Sequence, residues 1–166
     1  MEKLVKRSDK KAFYGISGDD SYTRIKYFTE MSINKNPKEY SRQYVDEDME
    51  RTDVVGYSPS ISFSFDECTG DTVLEDIVSI IDDELLGADA QRDIVFVDFS
   101  KQSEDGYEAI KRTFSIIADS EGNSTETYTY SGTMKAVGAL VKGIAKITTP
   151  EGGTPENVTA ITFTAN

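Results

Sequence analysis

The chain contains no histidine, no tryptophan and one cysteine, Cys68. Without histidine the usual general base and the usual transition-metal ligand are both missing, so neither serine–histidine–acid nor cysteine–histidine catalysis can be built. A single cysteine closes no internal disulfide. Cys68 follows a strand pattern, next to a turn, with no base or cationic run beside it to form a thiolate, and it reads as structural. No apolar run approaches the ~18 residues of a membrane-spanning helix. The N-terminal MEKLVKRSDKK is basic but lacks the apolar core of a signal peptide, so the expectation is a cytosolic chain unless an assembly carries it elsewhere. A glycine-rich phosphate loop, an internal repeat and a low-complexity tract are all absent from the sequence.

Positive charge is scarce too. Eighteen Lys and Arg against 30 Asp and Glu leave a formal net charge of -12 over 166 residues. Such a chain has no electrostatic reason to gather on nucleic acid or on an anionic membrane. A two-carboxylate glycosidase needs no histidine, but the acids here lie in polar runs where solvation is the plain expectation. Asp119-Ser120-Glu121-Gly122-Asn123 hints at a calcium loop and fails it: glycine is fourth instead of sixth, and the twelfth place is Tyr130 rather than glutamate. Asn123 and Asn157 begin glycosylation sequons that read as chance without a secretory signal. No catalytic, cofactor-binding or metal-ligating residue is expected, and the chain does not read as an enzyme.

The clearest local pattern runs from 57 to 100. Ile61, Phe63 and Phe65 alternate with Ser60, Ser62 and Ser64, the period of a half-buried strand. Thr72-Val73-Leu74-Glu75 has the spacing of a capping box. Val73, Leu74, Ile77, Val78, Ile81 and Leu85 then fall at helical spacing, which predicts a helix over 71–86 with Gly87 as its C-terminal cap. Residues 94–99 resume a strand. Elsewhere, 1–20 reads as an N-terminal arm and loop broken at Gly15, Gly18, Asp19 and Asp20. Residues 22–33 read as one long strand with a wet side, carrying Thr23, Ile25, Tyr27, Thr29, Met31 and Ile33 on one face.

After a turn at Pro37, residues 38–45 form a further strand that places Tyr40, Arg42 and Tyr44 on one face. The pattern then disappears into a long loop over 46–56, whose first eight residues carry Asp46, Glu47, Asp48, Glu50 and Asp53 against Arg51, together with Met49. Loops of that length are mostly functional or mobile. Residues 101–106 and 119–124 read as polar connections, 107–118, 127–135 and 141–147 as strands, 149–157 as a Gly/Pro loop, and 158–163 as a closing strand. Gly138 and Gly143 mark bulges or close approaches. Tyr40, Tyr44, Tyr57, Tyr128 and Tyr130 could form an aromatic surface, although tyrosine is common in strands for packing alone. The tally is seven or eight strands and one helix in one domain over 1–166: a β-sandwich or barrel flanked by a helix.

Residues 36–47 (NPKEYSRQYVDE) and 52–61 (TDVVGYSPSI), with KLVKR at 3–7 and YTYSGT at 128–133, resemble the major tail tube proteins of long-tailed bacteriophages. That group is found in phages and prophages of Gram-positive, clostridia-like hosts. The likeness runs from about residue 3 to about residue 148 and leaves 149–166 unmatched. It implies a tube-type β-sandwich or barrel with one flanking helix, six copies closing into a ring, and rings stacked into a hollow virion tail that passes the genome. It also implies tail terminator, tape measure and distal tail proteins as partners, and viral DNA in the lumen without sequence-specific binding. Neither a membrane nor a cofactor is implied. The early loop and the strand before it (Tyr40, Arg42, Tyr44, Asp46, Glu47, Asp48, Met49, Glu50, Arg51, Asp53) become the expected contacts between rings or subunits. The inner tube of a contractile tail or phage-derived bacteriocin is an alternative, and a virion decoration or carbohydrate-binding β-sandwich is one from another class.

Overall fold

The computed structural model describes residues 2–16, 20–148 and 153–166, with Thr149 by its backbone alone. Gly18 and Asp19 of the expected N-terminal loop, and residues 150–152 of the Gly/Pro loop, lie outside the described residues. In chain order the strands are β1 (Lys10–Gly15), β2 (Ser21–Arg24), β3 (Phe28–Asn34), β4 (Pro37–Arg42), β5 (Arg51–Tyr57) and β6 (Ser60–Asp66). Helix α1 (Thr72–Asp82) follows, and then β7 (Gln91–Ser103), β8 (Gly106–Glu121), β9 (Thr129–Ala136), β10 (Val141–Thr149) and β11 (Ala160–Ala165). The chain is mainly β, with a barrel, extra strands and one α-helix among the described residues. Among the described residues eleven strands stand in place of the expected seven or eight.

Nine strands make one antiparallel sheet in the order β10-β11-β2-β1-β7-β8-β9-β6-β3. β10 also pairs with residues 107–111 of β8, and this closes six strands into a barrel. Farther along the same edge, residues 114–121 of β8 pair with β9 instead. One long strand therefore belongs to the barrel at its start and to a four-stranded wing, β8-β9-β6-β3, at its end. β4 and β5 form a separate two-stranded sheet.

Two apolar clusters follow from this layout. Inside the barrel, Phe13, Tyr22, Val95, Val97, Ala109, Ala145, Ile161 and Phe163 meet with Val158. Between the wing and α1 lie Ile61, Phe63, Phe65, Phe114, Ile116, Tyr130 and Met134, joined by Tyr14 and Ile94 from the outer face of the barrel. β1 and β7 are thus covered on both faces, which is why IVFVD reads as a nearly continuous apolar run. It is also why the expectation for 1–20 needs correcting. Residues 10–15 are no arm but a central barrel strand, with Phe13 and Tyr14 fully buried on opposite faces. Phe65 stacks on Phe28 at 5.3 Å and on Tyr130 at 5.6 Å, so the aromatic wall of the wing is continuous from β3 to β9.

Other boundaries move as well. The single strand expected over 22–33 is broken at Tyr27, whose φ of 65° is left-handed, into β2 and β3. The chain leaves the barrel at that break and enters the wing. The polar stretch expected as a loop over 101–106 is mostly the extended β7–β8 hairpin, and β8 runs on through Asp119 to Glu121. Gly143 is a close approach as expected, since a Cβ there would lie 2.3 Å from the Thr164 carbonyl oxygen; at Gly138 a Cβ would meet only Thr113 Cβ, at an ordinary 3.9 Å.

Helix α1 is shorter than its apolar stripe. Its cap is Asp71, whose carboxylate accepts from the Leu74 amide at 3.1 Å, while Glu75 accepts from Gly70 at 3.1 Å. The expected capping box is thereby corrected by one residue at its start. Val73, Leu74, Ile77 and Ile80 are buried, and Val78, Ile81 and Leu85 pack partly buried against them. The end also moves. The Glu84 amide reaches Ile81 O at 3.2 Å and the Leu85 amide reaches Ile80 O at 3.1 Å, a Schellman closure. Glu84, at φ 51°, takes the left-handed position that the sequence pattern assigned to Gly87. A side chain at such a position costs roughly 1 kcal/mol. Glu84→Gly is therefore expected to raise stability by about 0.5–1 kcal/mol, read by urea denaturation with an unchanged m-value.

Candidate assembly surfaces

The wing ends in two open edges. β3 pairs with β6 on one side and, among the described residues, with no strand on the other. At the far side, β7 stops at Gln91, opposite Ser115, so β8 beyond that point has β9 on one edge and no strand on the other among the described residues. Beside this second edge a mostly apolar groove is lined by Ile80, Ile81, Leu85, Leu86, Ile116 and Ala118, with Glu84 in its wall. Leu86 is 82% exposed, Ile117 43% and, on the opposite edge, Ile33 46%. Unpaired backbone donors and acceptors flanked by exposed apolar side chains form a template for another strand.

One face of the wing lies on α1 and the other is open. Across the open face, register aligns Asn34, Ser60, Lys135 and Ser115 in one row, and Ser32, Ser62, Thr133 and Ile117 in the next. A third row holds Glu30, Ser64, Ser131 and Ser120, and Asp66 faces Thr129. Hydroxyls dominate these rows, and Glu30, Asp66 and Lys135 are their charges. The serine alternation at 60–64 signals this face in the sequence. The edge at 116–121 has no local signal, because it depends on where β7 ends.

Among the described residues neither β4 nor β5 packs extensively on any element other than its hairpin partner. Tyr40, Arg42, Tyr44, Asp46, Glu47, Asp48, Met49, Glu50, Arg51 and Asp53 all lie on the β4–β5 hairpin. It is not a loop throughout, however: residues 51–57 are a strand paired with 37–42. At the base Asn36, at φ 47°, donates from Nδ2 to Ser58 O at 3.1 Å and to Ser60 Oγ at 3.0 Å. At the tip Arg51 holds both Glu47 carboxylate oxygens, at 2.8 and 2.5 Å. Arg42 donates to the Tyr44 hydroxyl at 2.8 Å and pairs with Asp53 at 2.6 Å, with its guanidinium over the rings of Tyr40 and Tyr44. The Tyr44 and Asp53 bonds hold the Arg42 guanidinium charged beyond its ordinary range.

The five tyrosines do not form one surface. Tyr40, Tyr44 and Tyr57 are exposed on the hairpin, whereas Tyr130 is buried in the wing. Tyr128 packs on Tyr130 and donates to the Glu121 carboxylate at 2.8 Å, which raises its own phenol. Among the described residues no group of His, Cys, Asp and Glu could hold a metal ion, and no helix is long and apolar enough to cross a membrane.

No protein-family model matches the sequence, and no curated protein does. Solved structures do resemble it. The SPP1 tail tube, determined by solid-state NMR and cryo-EM, superposes with a TM-score of 0.71 at 16% identity, covering 94% of this chain and 87% of that one. The tail of an empty gene transfer agent particle with C6 symmetry gives 0.60 at 17% identity over 82% and 97%. The virion of the native gene transfer agent gives 0.55 at 17% identity over the same shares. The fold is that of phage tail tube proteins.

Proposed function

We propose that this chain is the structural subunit of a bacteriophage tail tube, six copies closing head-to-tail into a ring and rings stacking into a hollow tube for genome passage. The observation that carries this reading is the pair of open edges on the wing. An edge that would otherwise invite aggregation becomes a joint when each copy offers β3 to the β8 edge of the next. Two unlike edges make a heterologous contact, and such contacts close into rings. The C6 symmetry of the gene transfer agent tail supports the number six.

In this assembly the open face of the wing lines the lumen. Serine and threonine hydroxyls with few charges present no cationic cluster for phosphates to release counterions against, so DNA slides without being held. The excess acid of the chain lies elsewhere, on α1 and at the hairpin tip. α1 braces the wing from outside the lumen. The subunit would sit in the virion tail after assembly in the host cytoplasm, and the sequence likeness favours a phage or prophage of a Gram-positive, clostridia-like host. A tail terminator, a tape measure and a distal tail protein would complete the tail.

Negative-stain microscopy of the concentrated, purified protein is expected to show hollow stacked rings. A persistent monomer that binds glycans would instead support a carbohydrate-binding sandwich and sink the tube reading.

A further inference from the structure

We propose that Ile33 of one copy fills the groove between α1 and β8 of the next, with Lys35 of the first copy paired to Glu84 in the groove wall. The inference rests on the tube reading for the second copy and for its β3 lying against the β8 edge. It adds what seals that joint on the side away from the lumen.

Strand alternation decides which side chains can reach the groove. Register puts Ile33 in one row with Ile61, Met134 and Ile116, and Met31 in the next with Phe63, Gly132 and Ala118. Ile61, Phe63 and Met134 pack in one cluster with α1, so Ile33 and Met31 project to that side as well. Three antiparallel pairings separate β8 from β3, so the two strands run in opposite directions and a head-to-tail joint between them is antiparallel. A sheet that continues across such a joint keeps its faces. Ile33 of the arriving copy then lies on the α1 side of β8, where Ile116 and Ala118 line the groove with Leu85 and Leu86. The groove holds about 150 Å³, the scale of a cavity that takes one benzene-sized apolar group. Ile33 is nearly half exposed in the single chain and Leu86 largely so, and the joint covers both.

Charge fits the same pairing. No lysine or arginine occurs between Ser60 and Gln91 or between Thr113 and Met134, so the β8 edge and α1 supply no cation of their own. Asp82, Asp83 and Glu84 crowd the C-terminal end of α1, whose last turn carries no basic residue. That is the end at which the helix dipole disfavours negative charge. Glu84 makes no ion pair among the described residues. The isolated fold therefore gains nothing from its carboxylate. β3, by contrast, is flanked by Lys26 and Lys35, which make no ion pair among the described residues either. The one acid of β3, Glu30, lies in a row of the open face. Two β8 edges would repel each other, and so would two β3 edges. Charge thus selects the unlike pair.

The test is a charge swap and a cross-link in the full-length protein. Glu84→Lys and Lys35→Glu are each expected to raise the protein concentration needed for pelletable tubes by roughly tenfold or more. The double variant is expected to return it close to the wild-type value. Glu84→Lys puts a cation at a helix C-terminus, which favours the folded subunit. A urea midpoint at or above that of wild type therefore separates lost assembly from lost folding. In a Cys68→Ser background, tubes of Ile33→Cys/Leu86→Cys treated with a short bismaleimide are expected to give a covalent ladder that ends at six copies. Single reversals that assemble like wild type, a double variant no better than either single, or cross-linked tubes that run as monomer on a denaturing gel each overturn the inference and leave the tube reading standing. Failure of the wild-type protein to form tubes at all overturns both.

Discussion

Ile33→Lys and Ile117→Lys are each expected to abolish ring closure while leaving the subunit folded. The two residues lie on the opposite open edges of the wing and belong to neither apolar cluster. A lysine on an edge strand desolvates poorly when another strand arrives, which is how monomeric sheets protect themselves. Because both positions are nearly half exposed, the cost to the fold is about 1 kcal/mol or less. The two variants are not equivalent. Ile33→Lys keeps a working β8 edge and Ile117→Lys keeps a working β3 edge, so an equimolar mixture can form one joint and then stop. Analytical ultracentrifugation should therefore find monomer for each alone and heterodimer for the mixture. Rings or tubes from both variants would remove the edges from the mechanism, and a mixture that stays monomeric would contradict head-to-tail pairing.

How much of this was legible in the sequence depends on whether burial writes a pattern. β6 sits with one face on α1 and one face open, and its Ser/Ile/Phe alternation announces it without ambiguity. α1 is equally plain, apart from its ends. There the pattern overshoots because Leu85 packs against the core from beyond the helix, through the Schellman turn. β1 is hidden for the opposite reason. Phe13 and Tyr14 are adjacent and both buried, on different faces, so six residues show no period and the lysines before them suggest an arm.

The hairpin shows a third case. β5 is exposed on nearly every residue, so period-2 alternation has nothing to act on, and only the strand-favouring Thr52, Val54, Val55 and Tyr57 mark it as a strand. The acidic tip was recognisable as a charged run. Its rigidity was not, since that comes from Arg42 reaching across the ladder to Asp53 and back to Tyr44. The open edge of β8 is the least legible feature of all. It is a property of strand lengths set against one another, fixed by β7 ending opposite Ser115 while β8 continues for six residues more.

Asp76→Ala is expected to destabilise the subunit by about 2–3 kcal/mol, or roughly 5–10 °C in Tm for a domain of this size. Asp76 is the tie between α1 and the barrel. Its Oδ2 accepts from the Tyr14 hydroxyl at 2.5 Å and from Arg92 Nε at 2.9 Å. Loss of the carboxylate strands a fully buried phenol and a guanidinium with little exposure, although Arg92 keeps its bonds to the carbonyls of Asp89 and Gln91. Asp76→Asn retains an acceptor and should lose less. The same site is expected to weaken the fold at alkaline pH. Burial first, and then the Asp76 carboxylate, hold the Tyr14 phenol protonated far above its ordinary range. In the unfolded chain it ionises near ~10. Above that pH the unfolded state sheds a proton that the folded state keeps, so stability present below ~10 falls by up to about 1.4 kcal/mol per pH unit from this group alone. Tyr130, raised by burial and by Asp82, adds to the same limb. Urea denaturation from pH 8 to 11 should show Tyr14→Phe less stable than wild type at pH 8, with a shallower fall above pH 10. An unchanged alkaline slope in Tyr14→Phe would mean that the buried phenol is not the group that titrates.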